Sequence, residues 1–507
     1  MKPGDAAPTA ATGAGARPSM SSRTGDIDLV LLVLADGVRS DVLRALCASG
    51  DMPNIARHVL GEGSYHEGVT VLPSVTDVAY LPMLTGQYPG PANVPGIRWV
   101  DKSRFASGNV FVAGHRSYMG TSHLSFSDDL PAGLETLFEL CPDSLAVRSD
   151  IRRGLASGLN RFYGISGPFM FFAHYLQRAD FVDRIGTGSL LRALRRNGRD
   201  LPRFAFLPLI DVDYASHARG PKHDRTISAY RRIDSMVGGV IESLRKMGVW
   251  DRTHFLLSSD HGHSETTTHL DLNGLISSLG YSVFEHPNIY RRRVDAALMV
   301  SGNSFANIYL PSEGRWQRAL TAEELEGQHR PLLEGLCQRV EIEWIAYRQD
   351  DTSIKVVSGA GMALLGREGE SYVYRYEGSD PLQLRLSHTT IRDSEALAAT
   401  VESRFPDALV QIWQLFASKR TGDIVVTAKP GYDLRSWREW PEHHSSHGAL
   451  CWEHMKVPIL SNRPLASEGP VRTVDIFPTV IDSLGLISTK PHFGHSLWRP
   501  NQQSVAD

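Results

Sequence analysis

The sequence predicts an α/β fold: a central, largely parallel sheet flanked by helices, with a small α+β insertion. Two observations predict it. Apolar runs at 29–34, 204–210 and 254–257 have the length and continuity of strands buried on both faces. Each run stops at side chains that bind metals: Ala35-Asp36-Gly37 after the first, Asp213 and His217 after the second, Ser258-Ser259-Asp260-His261-Gly262-His263 after the third. Ligand sites of open α/β sheets form outside the carboxyl ends of their strands. Asp and His collected there from distant parts of the chain point to a metal centre. A fourth segment, Ser445-Ser446-His447-Gly448, offers another His beside a flexible turn.

Residues 1–25, rich in Ala, Gly, Pro, Ser and Thr, read as a disordered tail. Residues 26–290 are expected to form the first part of the catalytic core. In it, 39–46 has helical spacing and covers the sheet, and 70–72 is a short strand. The stretch 79–84 is a helix closed by Thr85-Gly86, which places a helix N-terminus just after Thr76. Residues 104–200 read as helices and loops without chemistry of their own. The amphipathic stretch 228–244 is the crossover helix between the second and third strands. Strands at 340–347, 354–358 and 372–376, with Gly and Asp turns, mark the α+β insertion over 291–420. The core resumes at 421–495, with strands at 423–428 and 457–460 and a last helix after Val471. Residues 496–507 are a C-terminal tail.

A formal charge of −3 over 507 residues argues against a general nucleic-acid or anionic-membrane binder. The basic clusters Arg192, Arg195, Arg196, Arg199 and Arg291-Arg292-Arg293 read as solvated surface. The four cysteines, Cys47, Cys141, Cys337 and Cys451, lie far apart. That spacing is neither a disulfide framework nor a thiolate zinc motif. No stretch approaches the roughly 20 apolar residues of a membrane span, and the N-terminal stretch lacks the apolar centre of a secretory signal. A cytoplasmic protein with a small-molecule partner is the expectation; oligomeric state has no signature.

The donor set indicates the chemistry. Imidazole and carboxylate without thiolate suit zinc in a hydrolytic site. Asp213 and His217, four apart, share one face of a helical turn. No general base is evident beside Thr76, and a divalent metal can deprotonate such an alcohol instead. A helix cap is the structural use of the same threonine.

At these residues the chain resembles the alkaline phosphatase superfamily, within it the type I phosphodiesterase/nucleotide pyrophosphatase branch. The resemblance spans about 28–290 and 420–490. It rests on Ala35-Asp36-Gly37, Pro73-Ser74-Val75-Thr76 with Leu84-Thr85-Gly86-Gln87-Tyr88-Pro89, Asp213-Tyr214-Ala215-Ser216-His217, Ser259-Asp260-His261-Gly262 and Ser446-His447-Gly448. It implies an alkaline-phosphatase-like sheet and two zinc ions. Asp213, His217 and His447 would hold one; Asp36, Asp260 and His261 would hold the other, with Thr76 as further ligand and nucleophile. The implied function is hydrolysis of a small phosphorylated substrate through a phosphothreonine.

One departure stands out. Diesterase relatives carry an Asn about twenty residues past the nucleophile, where this chain has Val94-Pro95-Gly96-Ile97-Arg98-Trp99-Val100. Arg98 is the candidate for the contact to a phosphate oxygen. Phosphodiester, phosphomonoester and phosphonate substrates stay open, as do a phosphotransferase and a catalytically silent phospholigand binder. A sulfatase is disfavoured, because Thr76 is followed by Asp77, Val78 and Ala79 and not by Pro and Arg. His263 is either a partner behind the ligands or a loop residue. His443 and His444 are expected as exposed loop residues. Arg219, Lys222, Glu453 and His454 have no assigned part.

Overall fold

The computed structural model describes residues 27–499 apart from 106–113, 157, 162–172, 174–175, 198–200, 287–292, 387–388, 437–439 and 468. The N-terminal tail, residues 500–507, Arg199, Arg291 and Arg292 therefore lie outside the described residues, whereas 496–499, read as part of the C-terminal tail, are described and bury Leu497 in the core.

The fold class is the α/β architecture predicted from the sequence. Among the described residues, an eight-stranded sheet runs in the order Val471–Arg472, Ser64–Val69, Lys456–Ser461, Thr253–Ser258, Leu29–Ala35, Phe204–Leu209, Leu145–Val147, Asn160–Arg161. Leu29–Ala35 is central and parallel to both neighbours, Phe204–Leu209 and Thr253–Ser258. Lys456–Ser461 runs antiparallel to the strands on either side. The central strand is fully buried because its alternate side chains enter two different cores. Leu29, Leu31, Val33 and Ala35 pack with the long Asp224–Lys246 and Ala179–Asn197 helices. Val30, Leu32 and Leu34 pack on the opposite face with Leu81, Leu84, Phe477 and Val480. A strand sandwiched in this way has no polar alternation, which is why it reads as one continuous apolar run.

Among the described residues a nine-stranded, mostly antiparallel sheet lies beside it, from Val283–Glu285 through Ala296–Ser301, Phe305–Tyr309, Ile424–Ala428 and Ile342–Asp350 to Thr389–Arg392. Ile424–Ala428 differs from the expectation that the main fold resumes there. It pairs on both edges within this second sheet, with Phe305–Tyr309 and Ile342–Asp350. A five-residue apolar strand carries no mark of which sheet it enters. The strand expected at 70–72 is likewise absent. The chain leaves the ladder at Val69, because Thr70 donates its hydroxyl to the Asp260 carbonyl and the Leu72 N–H donates to Gln411 Oε1. Among the described residues no helix is long and apolar enough to cross a membrane.

Candidate metal centre

Three adjacent parallel strands deliver the first donors. Asp36 follows Leu29–Ala35, and Asp260 and His261 follow Thr253–Ser258. Phe204–Leu209 leads through Ile210 into the Asp211–Arg219 helix, which carries Asp213 and His217 one turn apart. The start of that helix is fixed by buried Asp183, whose carboxylate accepts from the backbone N–H groups of Ile210 and Asp211 at 2.9 Å. Such a carboxylate satisfies donors that a helix start leaves unpaired. His447 arrives from the strand Ser445–Ser446, in a small three-stranded sheet with Ser264–His269 and Gly431–Asp433.

The structure brings the donors into two neighbouring groups: Asp36, Asp260 and His261; and Asp213, His217 and His447. In each group the candidate donor atoms lie within 4.8 Å of one another. One imidazole of each group stacks on the other, His261 on His447, with ring centroids 3.7 Å apart. A third grouping, Asp213, His261 and His263, shares two members with these.

The donors fit divalent cations, because nearly every one is pinned at one atom and open at another. Imidazole Nδ1 faces a backbone carbonyl in all three histidines: Ser445 O for His217 (3.1 Å), Gly262 O for His261 (3.2 Å) and Ser74 O for His447 (3.0 Å). A carbonyl only accepts, so Nδ1 carries the proton and Nε2 keeps its lone pair, which faces Asp213 at 3.4 Å in His217 and both Asp36 and Asp260 in His261. Asp36 Oδ2 accepts from the Tyr80 hydroxyl at 3.1 Å, and Asp260 Oδ1 from the Gly37 N–H at 3.2 Å. Their other oxygens, Asp36 Oδ1 and Asp260 Oδ2, are buried without a hydrogen-bond partner among the described residues. These orphans lie 3.5 and 3.3 Å from His261 Nε2, and the Thr76 hydroxyl lies 3.2 Å from the same nitrogen. Orphaned buried carboxylate oxygens cost free energy unless a cation takes them.

The charges tell the same story. Burial, then Asp260 and Asp213, push the Asp36 carboxyl well above its ordinary range. Burial also raises Asp260, against the pull of His261 and with the help of Asp213. Burial works to raise Asp213 too, but His217 and His263 outweigh it and hold that carboxyl well below the usual range. Burial, then the neighbouring His261 and His263, keep His447 neutral.

Thr76 differs from the simple cap considered for it. Asp77, at φ 65°, intervenes before the short helical turn Val78–Tyr80, and no side chain caps that turn. The Asp77 carboxyl, pushed up to about 7 by burial and then by Asp260, is hydrogen-bonded to Asp150. Asp150 lies just past the strand Leu145–Val147, so 104–200 contributes to the site after all.

Arg98 is half-buried, and its backbone N–H faces Ser301 Oγ at 3.4 Å. Its guanidinium donates to the Val300 carbonyl at 3.1 Å and to Ser117 Oγ at 3.3 Å. His263 is fully buried; its Nε2 lies 3.0 Å from Asp213 Oδ1 and its Nδ1 3.0 Å from Ser445 Oγ. His443 is half-buried and packs on the His217 ring at 4.4 Å, unlike the exposed residue expected; His444 is exposed. Arg219 and Lys222 are exposed, and Glu453 is half-buried. His454 is a buried structural residue held by the Ala449 N–H and Ser264 Oγ. Sequence reasoning missed Tyr80, Asp150 and Asp183, which carry no motif.

Fold and donor arrangement together define a member of the alkaline phosphatase superfamily. The chain belongs to the type I phosphodiesterase/nucleotide pyrophosphatase family, whose sequence model matches residues 30–450. Curated relatives include a mouse bis(5'-adenosyl)-triphosphatase, enpp4, 22% identical over 265 residues (50% of this chain and 52% of the mouse protein). The corresponding protein of Xenopus laevis is 23% identical over 259 residues, with the same coverage of 50% and 52%. The matched region thus spans about half the length of these relatives. Among solved structures, murine ectonucleotide pyrophosphatase/phosphodiesterase 5 superposes with a TM-score of 0.56 at 13% identity, covering 92% of this chain and 97% of that one. Phosphonoacetate hydrolase from Sinorhizobium meliloti 1021, in complex with phosphonoformate, gives 0.53 at 15% identity, covering 91% and 96%. At these identities the likeness concerns the fold.

Proposed function

We propose that the protein is a metal-dependent phosphoric ester hydrolase that works through a phosphothreonine on Thr76. The observation that carries this reading is the position of the Thr76 hydroxyl, 3.2 Å from His261 Nε2, where the orphaned oxygens of Asp36 and Asp260 also converge. Asp36, Asp260, His261 and Thr76 would hold one ion, and Asp213, His217 and His447 the other. Nitrogen and oxygen donors without sulfur favour zinc. Two such ions supply activation of a hydroxyl nucleophile and charge stabilisation on attacking and leaving oxygens.

The chain's own residues do the rest. Thr76 Oγ forms a bond to phosphorus as the P–O bond to the leaving alcohol breaks. The proton of the Thr76 hydroxyl leaves with the departing alcohol. Water then attacks phosphorus, the Oγ–P bond breaks, and Oγ takes back a proton from that water as phosphate (from a monoester) or a phosphomonoester (from a diester) is released. Tyr80, Gly37 and the three backbone carbonyls hold the donors in place before substrate arrives, so little reorganisation remains for the chemical step. Arg98, whose Nε and Nη1 are oriented by Ser117 and Val300, stays the candidate contact to a phosphate oxygen.

The test compares zinc-loaded wild type and Thr76→Ala on bis(4-nitrophenyl) phosphate and 4-nitrophenyl phosphate. The name of the curated relatives makes a dinucleoside triphosphate the third substrate. Loss of turnover on every substrate, with fold and bound metal retained, is the expected result. Full activity of the variant would remove Thr76 as nucleophile.

A further inference from the structure

The second sheet reaches into the metal centre at one point. Its Ala296–Ser301 and Phe305–Tyr309 strands are joined by Gly302, Asn303 and Ser304, and this turn grips His447 from both sides. The His447 N–H donates to the Gly302 carbonyl at 2.8 Å, and the Ser304 N–H donates to the His447 carbonyl at 3.0 Å. Ser304 Oγ adds a hydrogen bond to Ser446 Oγ at 2.7 Å. On the opposite side, His447 Nδ1 is tied to the Ser74 carbonyl, two residues before Thr76.

Two glycines make this fit. A Cβ on Gly302 would lie 2.6 Å from the His447 carbonyl oxygen and 2.8 Å from both His447 Nδ1 and Val75 Cγ1. A Cβ on Gly448 would lie 2.7 Å from the Ser301 carbonyl oxygen. Val75 Cγ1 is the end of a side chain and can give way, but the His447 carbonyl is backbone held by the Ser304 N–H. An atom added at Gly302 therefore displaces His447.

We propose that the 302–304 turn is the positioning element for His447, so that one of the two metal sites depends on the second sheet for its geometry. This rests on the metal-centre reading above. The Asp36, Asp260 and His261 group is built on the main sheet and does not use the turn. Damage to the turn removes one ion and spares the other.

The experiment is a zinc titration of the full chain against a competing chromophoric chelator, after metal stripping, with circular dichroism as the check of fold. Gly302→Ala should retain one zinc per chain where wild type retains two. The control is Gly369→Ala, in the turn between the Gly361–Glu368 and Ser371–Gly378 strands of the same sheet. That residue also has positive φ (59°, against 61° at Gly302), but nothing lies within 4 Å of its Cβ position. Both variants suffer the same kind of backbone strain, and only the first intrudes on His447. Gly369→Ala should keep two ions. Should Gly302→Ala fail to fold, Ser304→Ala decides, because it only deletes the hydroxyl bonded to Ser446; it should weaken one zinc site about fivefold and leave the other unchanged. Two ions of wild-type affinity in Gly302→Ala, equal losses in both glycine variants, or unchanged affinities in Ser304→Ala would overturn the inference. A wild type that takes up no zinc would instead overturn the metal reading itself.

Discussion

The Tyr80 hydroxyl offers a sharp probe of the centre. It is the donor to Asp36 Oδ2, at 3.1 Å, and the other oxygen of that carboxylate is the one left open. Tyr80→Phe deletes that hydroxyl and keeps the ring, with its edge-to-face contact to Phe206 at 5.9 Å. The fold should survive. Asp36 is 1% exposed, so no water replaces the lost donor. A buried hydrogen bond to a charged acceptor contributes about 1.5–3 kcal/mol. That corresponds to roughly 10–100-fold in metal affinity, the range found when the partner of a ligand is removed. The loss should fall on one site, because Asp213 takes its hydrogen bond from His263 instead. Competitive zinc titration resolves the two affinities. Equal weakening of both sites, or unchanged affinity at both, would refute the reasoning that each carboxylate is oriented by its own partner.

Two stability predictions follow from buried charge. Lys102 pairs with Asp423 at 2.8 Å, with side chains 8% and 0% exposed, so Lys102→Met strands a buried carboxylate and should cost about 3–5 kcal/mol in urea unfolding; a loss under about 1 kcal/mol would show that water reaches the pair. His254, on the Thr253–Ser258 strand, has its pKa pushed down from 6.5 to about 3 by burial and then by Arg463. Below pH 6.5 the unfolded chain takes up a proton that the folded chain refuses, so the stability this residue confers is whole above 6.5 and drains away as the pH falls towards 3. At pH 5 the deficit is about 2 kcal/mol. His254→Gln should therefore lose less stability than wild type between pH 7 and 5, and identical slopes would contradict the assignment.

The sequence was readable where one local pattern settled the outcome. A strand buried on both faces must be continuously apolar, and the Asp and His that follow it within a few residues emerge at the carboxyl edge of the sheet. That is why Asp36, Asp213 and Asp260 could be located without coordinates. The Asp224–Lys246 helix was legible for a similar reason, since one apolar stripe of 3.6 periodicity faces the sheet. Residues 424–428 show the limit of such patterns. Burial fixes that they form a strand, but the partner strands at 305–309 and 342–350 are chosen by contacts over about eighty residues or more of chain.

The donors and their anchors differ in the same way. A ligand declares itself by chemical type at a strand end; an anchor is defined only by the atom it touches. Tyr80 meets Asp36 across 44 positions, and Asp183 meets Ile210 across 27. Neither separation belongs to any periodicity, and a tyrosine in an apolar helical turn looks like core. Gly302 is more hidden still, since its contribution is the absence of an atom beside His447. The anchors also explain an asymmetry. Asp36 and Asp260 share one imidazole, and burial raises both. Asp213, with His217, His263 and His447 around it, is held low. Two carboxyls whose charged forms burial disfavours therefore share the side where Thr76 stands, and the orphaned oxygens are on that side too. A cation meets the greater need there, and the Tyr80 hydroxyl keeps that carboxylate aimed.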